Sequence, residues 1–186
     1  MRIIYVIVKL LTFPGAMTHA FFEHLSCRVC KILVDDARTL RTDEMLSHIE
    51  HELVKRRAPS FDICFIPFLF NLFFGIMTVS SAAVAILYLG SYKNALLWFL
   101  LYMGISFLTN LFPQMEDVLM LKENIYNGKT NIFIKIIVAP FFAVFYIGAH
   151  LERFGLTLLT SVGFAFALPY ILGLFVPRLY DLISAI

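Results

Sequence analysis

Charge is scarce in this chain: Asp, Glu, Lys and Arg together make up 15% of its 186 residues, against about a quarter in an ordinary soluble domain. A soluble globular class is therefore excluded. The charge that is present nearly cancels, at +2, which excludes the basic footprint of a nucleic-acid reader. Cysteine is limited to Cys27, Cys30 and Cys64, an odd number that cannot make the framework of a disulfide-stapled secreted domain. Reduced thiols at a cytoplasmic face are expected instead. A clean small-residue cleavage site is also missing after Arg2 and the apolar run that Lys9 interrupts. The N-terminal stretch is thus read as a retained segment and not as a signal peptide.

What fills the chain is apolar: 60% of residues are hydrophobic and 20 are Phe. This composition predicts an all-α polytopic membrane protein whose principal partner is the lipid bilayer. At about 20 residues per crossing, five spans are expected, at 3–27, 63–90, 95–112, 136–151 and 154–176, in one membrane domain over 1–186. Pro14-Gly15 should break or kink the first span. The link 90–94 is short enough to return the third span antiparallel to the second. The stretch 136–151 is barely long enough to cross, so it is either re-entrant or extended back toward Thr130. The polar insertion 28–62 carries seven basic and seven acidic residues. Within it, 34–40 and 45–53 alternate in part with period two around a turn at 41–44, which predicts a small β-hairpin, with an amphipathic helix as the competing reading. Eleven Lys and Arg fall on the side of 28–62 and 113–135, against Arg2, Lys93 and Arg153 on the other. These two segments are therefore assigned to the cytoplasm.

Against this background the stretch from Phe13 to His24 stands out, because it sets His19, Glu23 and His24 in an apolar helix that opens with Pro14-Gly15. Ionisable groups inside a membrane segment are costly and are functional candidates by default. Four residues apart, His19 and Glu23 lie about 40° from one another around a helix and can reach one ion together. His24 is turned about 140° from His19. The orientation above brings the end of the third span, with Asn110 and Asp117, to the same leaflet, so Asp117 can join His19 and Glu23 as a metal ligand. The same residues can also serve only to hydrogen-bond one another and Asn110 within the bundle. His24, Cys27 and Cys30 form a second ligand pattern, but three positions without a fourth are weak, and the two thiols suit packing better. His48 and His51 should lie on opposite faces of a strand, as solvated or cross-strand residues.

Phe13-Pro14-Gly15 followed after three residues by His19, Asn110 followed by Pro113, and then Asp117 resemble the short site-2-protease-like intramembrane zinc metallopeptidases. The stretches 47–52 and 67–71 are similar to the hairpin and following helix of that family, so the likeness covers roughly 13–117. The resemblance implies zinc or another divalent metal, held by the first His of a His-Glu-x-x-His motif, its second His and the later Asp. It also implies a Glu acting as general base on a membrane-embedded peptide or protein substrate. This chain reads His19-Ala20-Phe21-Phe22-Glu23 instead, and its Asn-to-Asp interval is one residue shorter than is usual. Ala20 replaces the base, and Glu23 replaces the second imidazole.

Both replacements strike the chemistry. Two carboxylates and one imidazole cancel the charge of a divalent ion, which then acidifies water less and favours harder metals than zinc. Glu23 as base, with His19 and Asp117 alone or with His24 on the metal, is an alternative, and Glu116 is the other base candidate. The expected function is an altered metal-dependent membrane hydrolase with weak or absent peptidase activity. The alternative is a non-catalytic scaffold that keeps the fold.

Overall fold

A computed structural model of the chain describes residues 2–37, 48–87, 89–127 and 130–184, with side chains from Ile3 to Leu174. Helix makes up 79% of it, with one small sheet. The helices are α1 (Arg2–Leu11), α2 (Phe13–Val29), α3 (Arg57–Leu87), α4 (Ala95–Thr109), α5 (Met115–Lys122), α6 (Ile132–Arg153) and α7 (Leu156–Ser184). Strands β1 (Val34–Asp36) and β2 (Glu50–His51) lie between α2 and α3.

Among the described residues three helices are long and apolar enough to cross a bilayer: α3, α6 and the part of α7 from Leu156 to Leu174. A fourth is reached only if α1 and α2 are taken as one broken span. Five crossings are not found among the described residues. The expected span at 95–112 is α4, whose 15 residues cover about 22 Å, short of a hydrocarbon core about 30 Å thick. The expected span at 136–151 starts earlier, at Ile132, and its 22 residues suffice to cross. Large apolar side chains such as Phe73, Met77, Ile137, Ile147, Leu159 and Phe166 point outward, a surface that suits lipid and not water.

The first apolar stretch bends by 93° between α1 and α2. Pro14 has no N–H, and its ring excludes a carbonyl one turn back, so the first helix cannot run through it; near the start of a new helix that N–H is not needed. The break therefore falls at Thr12, just ahead of Pro14-Gly15, and Thr12 Oγ1 bonds back to the Val8 carbonyl at 2.8 Å. Gly15 then allows α2 to lie directly against α4: a Cβ there would sit 2.0 Å from the Ser106 carbonyl oxygen. In that contact the Gly15 N–H donates to Ser106 Oγ at 2.8 Å, and Ser106 Oγ donates to the Thr12 carbonyl at 2.8 Å. Phe22 of α2 stacks on Phe70 of α3 with ring centres 3.9 Å apart.

Two apolar cores flank this junction. Cys64, Val118, Leu121, Ile125, Phe145 and Ala149 join α3, α5 with the helical turn Glu123–Asn127 that follows it, and α6. Val79, Ala83, Leu108, Ala165 and Leu168 join α3, α4 and α7. Strands β1 and β2 pair antiparallel, Val34 opposite His51 and Asp36 opposite Glu50, with a register irregularity between the pairs. This agrees with the hairpin reading over the amphipathic helix. The expected turn at 41–44 lies outside the described residues. The segment leaving β2 is clamped from the helices: Asn124 Nδ2 donates to the Val54 carbonyl at 2.6 Å, and Arg56 Nη2 to the Cys30 carbonyl at 2.9 Å.

Candidate functional site

The buried face of α2 is Gly15, Ala16, His19, Ala20, Glu23, Ser26 and Cys27, a stripe at three- and four-residue spacing. It carries His19 into the junction with α3 and α4. His19 Nδ1 lies 2.9 Å from the backbone carbonyl of Asn110. A carbonyl only accepts, so Nδ1 carries the proton and the neutral ring keeps its lone pair on Nε2. That carbonyl also receives Asn71 Nδ2 at 2.5 Å, which reaches the Gly15 carbonyl at 3.2 Å. Asn110 itself ends α4, its amide donating to the Ser106 carbonyl at 2.8 Å and to Thr12 Oγ1 at 2.9 Å. The imidazole orientation is thus fixed by α3, α4 and the α1–α2 break together.

One turn along α2, Glu23 Oε1 accepts from the Ile49 N–H at 3.4 Å. Its Oε2 is buried and makes no hydrogen bond among the described residues. His48 Nδ1 is 3.4 Å from Oε2 and likewise makes no hydrogen bond among the described residues. The His48 ring stands edge-on to that of His19, with centres 5.1 Å apart. One potential ligand atom from each of His19, Glu23 and His48 falls within 4.8 Å of the others. All three residues are buried, with at most 3% of their surface exposed. Burial, and behind it the charge of Lys9, pushes the His48 ring down to about 3, so it is neutral and able to ligate.

Asp117, in the first turn of α5, is held differently. Its Oδ1 is 3.2 Å from His51 Nε2, and His51 Nδ1 donates to the Glu52 carbonyl at 2.9 Å. Both ring nitrogens face acceptors, so both carry protons. Burial disfavours that charge, but the hydrogen bond and charge of Asp117 outweigh it and push His51 up to about 9. Glu23, His51 and Asp117 form a second group of mutually close ligand atoms.

His19 and Glu23 therefore meet, and Glu23 and Asp117 meet, but among the described residues no one group of mutually close ligand atoms holds His19, Glu23 and Asp117 together; Glu23 belongs to two groups. Glu116 is exposed on the outer side of α5 and belongs to neither group. His24 is half-buried and stays apart, while Cys27 packs with Ile32, Val54 and Ile63. The expectation that His48 and His51 are solvated or cross-strand residues is overturned for His48, which is buried beside Glu23; His51 does stand cross-strand, opposite Val34, with its ring against Asp117. Strand β2 covers only Glu50 and His51, so His48 precedes it and escapes the strict alternation of strand side chains. The signal that could have found them is two His, three apart, in the polar insertion that follows a helix carrying His19 and Glu23. A second buried pair, Lys9 Nζ with Glu152 Oε1, ties α1 to α6. No family model, curated protein or solved structure matches the chain.

Proposed function

We propose that this is a membrane protein related to the site-2-protease-like metallopeptidases, carrying a divalent metal in an altered site and having weak or absent peptidase activity. The observation that carries the reading is the convergence of buried, unpartnered donor atoms on α2 and the segment before β2. Among the described residues Glu23 Oε2 and His48 Nδ1 lack hydrogen bonds, and His19 keeps a lone pair on Nε2. Buried polar atoms are normally satisfied, and leaving one bare costs about 1–3 kcal/mol. A cation of the zinc class fits this donor set of imidazole nitrogen and carboxylate oxygen. Such an ion supplies Lewis-acid chemistry for hydrolysis.

The chain's own residues limit the rate of any such hydrolysis. Proton removal by a positioned base typically contributes about 10²- to 10⁴-fold in rate. Ala20 offers no acceptor, Glu116 faces outward, and Asp117 is engaged by a charged His51. Only Glu23 remains, and as a ligand it is a poor base. The buried methyl of Ala20 also favours the second reading, a non-catalytic membrane protein that keeps the site for structure.

Cleavage of membrane-embedded model peptides tests the reading. The native chain should cleave slowly or not at all, and Ala20→Glu combined with Glu23→His should raise the rate. Native cleavage at ordinary enzymatic rates that is lost in Glu23→Gln would contradict it and make Glu23 the base.

A further inference from the structure

Resting on the metal-binding reading, we propose that His48 supplies the second imidazole of the site, so that the ligand set is His19, Glu23 and His48, and that Asp117 stays outside the coordination shell. The free lone pairs decide the set. His19 has one nitrogen bound to the Asn110 carbonyl and the other open. Glu23 has one oxygen bound to the Ile49 N–H and the other bare. His48 has its Nδ1 bare beside that oxygen. In His19 and Glu23 the anchored atom fixes the angle at which the free atom meets the ion.

His51 is disqualified by the same test, since both of its nitrogens face acceptors and no lone pair is left. Asp117 gives Oδ1 to that ring, and among the described residues its carboxylate is close enough to share an ion with Glu23 and His51 but is in no such group with His19 or His48. The charge balance also changes. With Glu23 as the only carboxylate, two neutral imidazoles leave the site at +1, the balance that a set of two carboxylates and one imidazole loses. The second imidazole that α2 does not carry comes in this set from another element.

A structural consequence separates this set from one built on α2 and α5 alone. The ion would join a membrane helix to the segment leading into β2, and Ile49, the neighbour of His48, already grips Glu23 through its N–H. Metal removal should therefore loosen residues 48–51 specifically.

X-ray absorption of the zinc-loaded full chain in detergent tests the set without any substitution. Two imidazoles and one carboxylate oxygen from the protein are expected, and one imidazole or three would overturn the assignment. Zinc affinity by chelator competition gives the second arm. His48→Ala should weaken binding by more than the 10- to 100-fold that outer partners cost, whereas Asp117→Asn should stay within about tenfold. Tight binding retained in His48→Ala would overturn the ligand set while leaving the metal reading intact. Failure of the native chain to bind zinc at all would overturn both. Hydrogen exchange at Ile49 should rise when zinc is removed, and unchanged exchange would also count against the set.

Discussion

His51 Nε2 and Asp117 Oδ1 lie 3.2 Å apart, joining the hairpin to the first turn of α5, and Glu52 holds the opposite ring nitrogen. The charged ring faces Glu23 as well as Asp117. Its value is raised from 6.5 to about 9 in the folded chain. A group raised in this way contributes stability that is complete below its unfolded value and is lost as pH climbs through the folded one. In detergent, the native chain should therefore melt above His51→Gln by a margin that is full below pH 6.5, declines as pH rises from there, and is nearly gone above about 9. A margin that stays constant across that range would show that the ring is not charged.

The buried pair of Lys9 and Glu152 makes a different prediction. Both side chains are nearly inaccessible, so removing one partner strands the other in a low dielectric, at a cost of about 3–5 kcal/mol. Lys9→Met should sharply destabilise the docking of α1 on α6. The double variant Lys9→Met with Glu152→Leu should recover most of the loss, because apolar replacement of a whole buried pair is often neutral. Equal destabilisation by single and double variants, measured in a thermal double-mutant cycle, would contradict this.

Gly15 sets how closely α2 approaches α4. A Cβ at this position would meet the Ser106 carbonyl oxygen at 2.0 Å, and backbone cannot step aside as a flexible side chain can. Gly15→Ala should cost about 1–3 kcal/mol, the usual range for overpacking. It should also weaken metal binding, since Asn71 ties the Gly15 carbonyl to the carbonyl that orients His19. Native stability and affinity in this variant would show that the close contact is not needed.

How much of this was legible in the sequence depended on distance along the chain. Pro14 and Gly15 announced the break before α2, and the four-residue spacing of His19 and Glu23 placed both on its buried face. The Asn110-to-Asp117 turn pointed Asp117 toward Glu23. The short α4 was not legible, because Leu111 and Phe112 are as apolar as the helix they follow while Pro113 and the Asn110 cap end it sooner. The place of His48 was not legible either. Period-two reasoning assumes a continuous strand, and β2 has two residues with an irregular register. Lys9 and Glu152 are 143 residues apart, and no local pattern joins them.

Whether the cluster around Glu23 holds a divalent cation is tested most directly by metal analysis of the full chain purified in detergent. After exposure to zinc and removal of loose metal, about one ion per chain should remain, as at other buried three-ligand sites, and it should be lost in His19→Ala that still folds. A native, folded chain that retains no zinc or other divalent metal would contradict metal binding and leave the cluster a hydrogen-bonded junction between the membrane helices and the hairpin.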